Sequence, residues 1–306
     1  MEFRLLQYVI QIAAERNFSR AAEKLHIAQP SLSQQLSKLE KELGVLLFKR
    51  STNSVELTYA GSVFVEKAQR ILDMTEQLRR EMEDIADLRK GRIVIGSLPM
   101  TGTHVLPLVI PAFRAAYPDI EIALVEETST ELEQLTASGG TDVSLLSLPL
   151  TEHALTYEPI IEEGILLAVP PDHRLAGRKS DRPVVVEELA EEPFVLLKKG
   201  QGFRDISLRM CESAGFSPRI AFESGNIETV QSLVAAGLGI AFVPEMVARN
   251  SGQEHVPVYV PLQGEPTRTL VIAYRKGRYL SNAAEAFIAT FRSVISRSLD
   301  KKRANP

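Results

Sequence analysis

Two helix-like runs stand almost end to end in "FSRAAEKLHIAQPSLSQQLSKLEKEL", residues 18–43. In the second run Leu32, Leu36, Leu39 and Leu43 recur every three or four residues and form one apolar stripe. Ser33, Gln34, Ser37, Lys38 and Lys41 fall on the other side. These side chains offer hydrogen bonds and charge. Short hydroxyls and amides can reach the edges of nucleic-acid bases, and lysine can reach phosphate. The solvated face of an ordinary helical hairpin has the same polarity, so this helix alone does not decide.

The elements around it narrow the choice. Ser19 is expected to cap the first helix, and Ala21 and Ala22 let a second helix approach closely. His26 to Gln29 form a short turn, and Pro30 suits a first helical turn, where its missing N–H has no partner to lose. Two helices joined so tightly, the second presenting a polar face, describe a helix-turn-helix. Next comes "LLFKRSTNSVELTYAG". Lys49 and Arg50 precede a Thr-Asn-Ser tip, a short β run follows, and Thr58 can cap the next helix. A hairpin with a basic base is a wing that can lie against a phosphate backbone or minor groove. A surface hairpin with two solvated charges is the plainer alternative.

Catalytic chemistry finds little support. His26, His104, His153, His173 and His255 are scattered without metal-ligand spacing. Cys211 has no histidine near it in sequence and reads as a small buried hydrophobe. There is no G-x-S-x-G elbow and no phosphate-cradling GxxxxGK[ST] loop, and "GLGIAF" at 237–242 precedes a strand instead of following one. Neither a metal nor a cofactor is expected.

The chain has 306 residues, 44% hydrophobic and 24% charged, with a net charge of -4, which is ordinary globular composition for two or three domains. An acidic sum argues only mildly against nucleic acid, because a local basic patch counts for more than the total. One cysteine excludes a disulfide within these residues and suits a reducing compartment. The start of the chain lacks a basic region followed by a long apolar core, and no stretch approaches the ~20 apolar residues of a membrane span. A cytoplasmic protein is expected.

From Gly91 the texture changes to short apolar runs, RIVIGS, IEIALVEE, DVSLLSL, ILLAVPP, PFVLLK, IAFVPE and TLVIAYR, with helical patterns between several of them. This alternation predicts α/β units with a largely parallel sheet, too many for one small sheet and so arranged as two lobes. The tail SRSLDKKRANP is expected to fray.

The segments "FSRAAEKLHIAQPSLSQQLSKLEKELGVLLFKR" and "ELTYAG" closely resemble the winged helix-turn-helix of LysR-type transcriptional regulators, and the resemblance extends over essentially the whole chain through "GRIVIGS" and "VAAGLGIAFVP". It implies a DNA-binding regulator that answers to a small-molecule effector and is not an enzyme. It places Gln29, Pro30, Ser33, Gln34 and Lys38 on the recognition-helix side and Arg50 on the wing. Ser31, Lys49 and Thr58 complete the expected DNA-facing set. Many relatives carry arginine where this chain has Gln34. Glutamine can pair with adenine but cannot reproduce arginine's bidentate contact to guanine.

Residues 59–89 read as one long helix. Phe64, Ala68, Ile71, Thr75, Leu78, Met82 and Ile85 step by alternating fours and threes, a heptad seam weakened by Thr75. The family uses this helix to dimerise, so two DNA-binding heads can read two half-sites. The expected domains are a winged helix-turn-helix at 1–58, a linker helix at 59–90 and an effector domain at 91–306. The last resembles a two-lobed periplasmic binding protein, with lobe I at 91–160 and 267–300 and lobe II at 161–266.

Ligands in such sheets sit where strands end and helices begin. Those junctions hold Ser97, Leu98, Pro99 and Thr101, then Thr128 and Ser129, then Leu148, then Gly202, Phe203 and Arg204, then Asn226 and Ile227. Hydroxyls and helix starts suit an anion, and Arg204 can neutralise a carboxylate. Ser97 and Thr128 are equally compatible with simple helix capping, and Arg204 with a surface position facing Asp205. The expected partners are double-stranded promoter DNA, a small effector, a second copy of the chain in a dimer and then a tetramer, and RNA polymerase. The rival reading is a two-lobed small-molecule-binding or enzymatic α/β protein whose N-terminal helices serve assembly only.

Overall fold

The structure, a computed structural model, describes residues 2–50, 55–86, 91–178, 182–248 and 255–304. The chain forms two compact units, Met1–Ile85 and Ala86–Pro306.

The first unit runs α1 (Phe3–Glu15), α2 (Phe18–Lys24), α3 (Gln29–Leu43), β1 (Phe48–Arg50), β2 (Val55–Leu57) and α4 (Tyr59–Ala86). The cap of α2 is Asn17 and not Ser19: the Asn17 side chain accepts the N–H of Ser19 at 2.9 Å and of Arg20 at 3.1 Å. Asparagine caps as well as serine does, and starting the helix at Phe18 lets that ring meet Phe48 edge-on at 6.4 Å. Pro30 occupies the first turn of α3, and Gly44, at φ 71°, closes it in the left-handed conformation that favours glycine. Leu32, Leu36 and Leu39 join Val9, Ile12, Ala21, Ala22, Leu47 and Phe48 in the core. Leu43, the last residue of the expected stripe, is exposed, whereas Glu40 is buried. β1 and β2 pair antiparallel from Phe48–Leu57 to Arg50–Val55. The expected wing tip lies outside the described residues.

The second unit contains β3 (Gly91–Ser97), α5 (Pro99–Ala116), β4 (Ile120–Glu126), α6 (Ser129–Ser138), β5 (Val143–Ser147), β6 (Leu155–Val169), β7 (Pro193–Leu197), α7 (Gly202–Ser213), β8 (Arg219–Ser224), α8 (Ile227–Ala235), β9 (Ala241–Pro244), β10 (Val258–Pro261), β11 (Thr267–Arg275) and α9 (Asn282–Ala304). The expected sheet was largely parallel. β3 does pair parallel with β4 and β5, and β7 with β8. The long strand β6, however, is antiparallel to β9, β10 and β11. The seven strands run β10-β6-β11-β5-β3-β4, with β9 also on β6. β6 is the reason: its first part pairs with β11 and its last part with β9 and β10, so one strand passes from one lobe to the other. Two cores result. One centres on Ile93, Ile95, Phe113, Phe287 and Phe291, the other on Leu167, Phe194, Cys211, Phe242 and Val260. The C-terminal segment expected to fray continues α9 as far as Ala304.

Candidate DNA-reading surface and effector cleft

On α3, Gln29, Pro30, Ser31, Gln34 and Lys38 are exposed and Ser33 is half-buried, on the side away from Leu32, Leu36 and Leu39. This is a continuous polar surface along one helix. Lys49 is exposed on β1. Arg50 follows it in the same strand, and its side chain lies outside the described residues. Thr58 caps α4, one of the two roles expected of it. Its hydroxyl donates to the Leu46 carbonyl at 2.7 Å and accepts the Gly61 N–H at 2.9 Å, which engages it inside the domain.

The seam on α4 divides in two. Phe64 packs against the core of its own winged domain, and Ala68 is already buried within the single chain. Further along, Ile71, Leu78 and Met82 are exposed, Leu78 by 58% and Met82 by 51%. Thr75 is exposed and its hydroxyl donates to the Ile71 carbonyl at 2.9 Å. Beside it stands Met74, 69% exposed and missing from the expected seam. Thr75 keeps the alternation of fours and threes, and Met74 widens the exposed apolar face beside it. The side chain of Ile85 lies outside the described residues.

In the α/β unit the strand-to-helix junctions converge between the two lobes. A cavity of about 250 Å³ is lined by Leu98, Pro99, Asn226 and Ile227, as expected, together with Met100, Thr103, His104, Leu197, Gln201, Gly225 and Glu228. The first turn of α5 has no side-chain cap, whereas the first N–H of α7, that of Gly202, is already taken by the Ser129 hydroxyl. Asn226 caps α8 by accepting the Glu228 N–H at 2.7 Å.

The other expected cleft residues have specific duties. Ser97 is buried and its hydroxyl donates to the Leu98 carbonyl at 3.0 Å. Thr101 is buried and its hydroxyl has no hydrogen-bond partner. Thr128 forms a capping box with Glu131 at the head of α6, and this hydrogen bond holds the Glu131 carboxyl below the usual carboxylate range. Ser129 accepts the Gly202 N–H at 2.8 Å, and Thr130 N–H donates to the Gly200 carbonyl at 3.3 Å. The lobes are therefore tied directly, α6 start to α7 start. Leu148 lines a separate, open cavity of about 620 Å³ with Arg209 and Arg268.

Arg204 was expected to offer a free charge, and the structure corrects this. It is buried, ion-paired with Glu223 and hydrogen-bonded to the Leu197 carbonyl, so its charge is already neutralised inside lobe II. Phe203 lies beneath another arginine that was missed: the Arg268 guanidinium sits 5.3 Å from the ring centroid. Arg268 is 2% exposed, and its Nε donates to Glu163 Oε1 at 2.6 Å. Burial pulls its pKa down and Glu163 opposes that shift. Sequence pattern gave no sign of this pair, because its members meet only through the β6–β11 register. Gln201 and His104 were closer to legible: one precedes Gly202 and the other lies about one turn beyond Pro99.

The polar helix and wing match a family model described as the bacterial regulatory helix-turn-helix protein, lysR family, over residues 3–62. The α/β unit matches one described as the LysR substrate binding domain over residues 86–296. The HTH-type transcriptional regulator YcgK of Bacillus subtilis is 39% identical, over 98% of this chain and 97% of its own. The hydrogen peroxide-inducible genes activator of Escherichia coli O157:H7 is 32% identical, over 98% of each chain. The crystal structure of full-length CbnR complexed with its target DNA superposes with a TM-score of 0.67 at 25% identity, covering 96% of this chain and 100% of that one. Both units and nearly the full length agree, and the chain belongs to the LysR family of DNA-binding transcriptional regulators, with an effector-binding domain following its helix-turn-helix.

Proposed function

We propose that this regulator binds promoter DNA as a dimer held by the exposed part of α4. In this reading it assembles further through its α/β domains, acts with RNA polymerase, and responds to a small anionic effector in the cavity between its lobes. The observation that carries the effector reading is that cavity, where the uncapped start of α5 borders the same space as Gln201 and Asn226. Its volume lies just below the ~300–1,000 Å³ of typical ligand pockets, which favours a small metabolite. Glu228 is the acidic group in its lining and sets where an anion would not sit. Because Ser129–Gly202 and Thr130–Gly200 tie the lobes shut, a ligand that binds the tied and untied forms unequally shifts their balance, and only that difference regulates.

A panel of small carboxylates should include one that raises the thermal midpoint of the full-length protein. Gln201→Ala, which removes an amide donor from the cavity wall, should weaken that ligand by about 1 kcal/mol, roughly one hydrogen bond. An effector whose affinity is indifferent to Asn226, Gln201 and His104 would place the site elsewhere.

A thiol switch is the alternative suggested by the peroxide-inducible relative. Cys211 is fully buried, and burial, with Glu212 nearby, pushes its thiol up to about 12. The thiolate is the reactive form, so this sulfur is poorly disposed to oxidation. Peroxide treatment of the folded protein should leave the thiol titratable after denaturation. Its rapid loss would favour the redox reading.

For DNA, Gln34→Ala should cost roughly 1–3 kcal/mol on the selected site and little on random duplex. Lys38→Ala should weaken both and flatten the salt dependence. Anisotropy titrations at several salt concentrations separate the two effects.

A further inference from the structure

Glu40 does not suit its surroundings by chemistry alone. It follows Leu39 on α3 and is buried in the winged domain. Its Oε1 accepts the N–H of Leu47 at 2.8 Å and of Phe48 at 3.3 Å, the residues that open the wing. The same segment is held from its other side by the head of α4. The Thr58 hydroxyl donates to the Leu46 carbonyl at 2.7 Å, and the Thr58 N–H donates to the Leu47 carbonyl at 2.9 Å. Gly61 comes so close that an added Cβ would stand 2.0 Å from the Leu47 oxygen. Residues 46–48 are thus fastened to the helix that carries Ser33, Gln34 and Lys38 and to the helix that carries Leu78 and Met82.

We propose that Glu40 is a positioning residue for DNA recognition. It fixes the wing to the recognition helix, and through residues 46–48 it links the direction of α4 to the face that reads DNA. The sign of its effect separates this role from simple charge. A carboxylate in a DNA-binding domain repels phosphate, so charge alone predicts that removing it tightens binding. The clamp predicts the reverse, because loss of Glu40 leaves two wing amides without their acceptor and lets Lys49 drift from the backbone it contacts.

The test uses the full-length protein with two probes, the duplex that wild type selects from a randomised pool and poly(dI-dC). Glu40→Ala should lose about tenfold or more on the selected duplex, the scale of one good base contact, with a salt slope shallower by about one. Glu40→Gln should restore both, because its amide oxygen can occupy the Oε1 position while the charge stays absent. The proposal is overturned if Glu40→Ala binds the selected duplex as tightly as wild type with an unchanged slope, or if Glu40→Gln is as weak as Glu40→Ala. If Glu40→Ala does not fold, Glu40→Gln and Thr58→Val decide. Thr58→Val should lose selected-duplex binding while sedimenting as wild type does, and unchanged binding by that variant overturns the link between α4 and the wing.

Discussion

Leu78→Asp is expected to abolish the dimer and, with it, at least about 100-fold of affinity for a two-half-site duplex. Leu78 is exposed in the single chain together with Ile71, Met74 and Met82, so aspartate there costs a lone protomer almost nothing. Between two helices the same carboxylate is buried without a partner, at a cost of several kcal/mol for each copy. Once the heads separate, the second no longer binds at the high effective concentration that the first provides, and 10²–10⁴ of avidity disappears. Sedimentation of the free protein and anisotropy on the duplex should change together. An intact dimer for Leu78→Asp would remove α4 from the interface.

Gly61→Ala is expected to disable the winged domain while sparing the effector domain. The added methyl would meet the Leu47 carbonyl oxygen at 2.0 Å, its carbon at 2.9 Å and Leu57 Cδ2 at 3.0 Å. Two of these atoms are backbone, and the Leu47 N–H donated to Glu40 and the Leu47 carbonyl held by the Thr58 N–H restrain that backbone, so it cannot yield cheaply. Overpacking commonly costs ~1–3 kcal/mol and more where relief is blocked. Calorimetry of the full chain should show the transition of the first unit lowered or missing and that of the second unchanged, with DNA binding lost on every duplex. Wild-type melting and binding would mean that α4 can shift away from residue 47 without consequence.

The parts of this structure that were legible in the sequence are those governed by local rules. The leucine stripe of α3, Pro30 in its first turn and the apolar runs of the α/β unit all express periodicity or backbone restriction. The residues that escaped are those whose environment depends on distant partners. Glu40 looked like one more charge beside Lys41 and Glu42, yet its acceptors' donors lie at 47 and 48, across the turn that Gly44 makes. Arg204 looked like an anion receptor at a helix start because its neutralising partner, Glu223, belongs to β8, a strand whose residues are mostly exposed and carry no clear apolar alternation. The antiparallel course of β6 was hidden because ILLAV is only the last third of a strand whose earlier part, from Leu155, alternates with polar residues and reads as loop.

The central claim is that two copies of α3, joined by α4, read two related half-sites with Gln34 at a base edge. The direct measurement is selection from a randomised duplex pool by full-length wild type and by Gln34→Arg, followed by sequencing. Two half-sites related by a dyad should emerge for both proteins, with adenine at one position of each half for wild type replaced by guanine for Gln34→Arg, since arginine pairs with guanine O6 and N7 where glutamine pairs with adenine N6 and N7. Recovery of a single unpaired site, or of the same bases from both proteins, would contradict it.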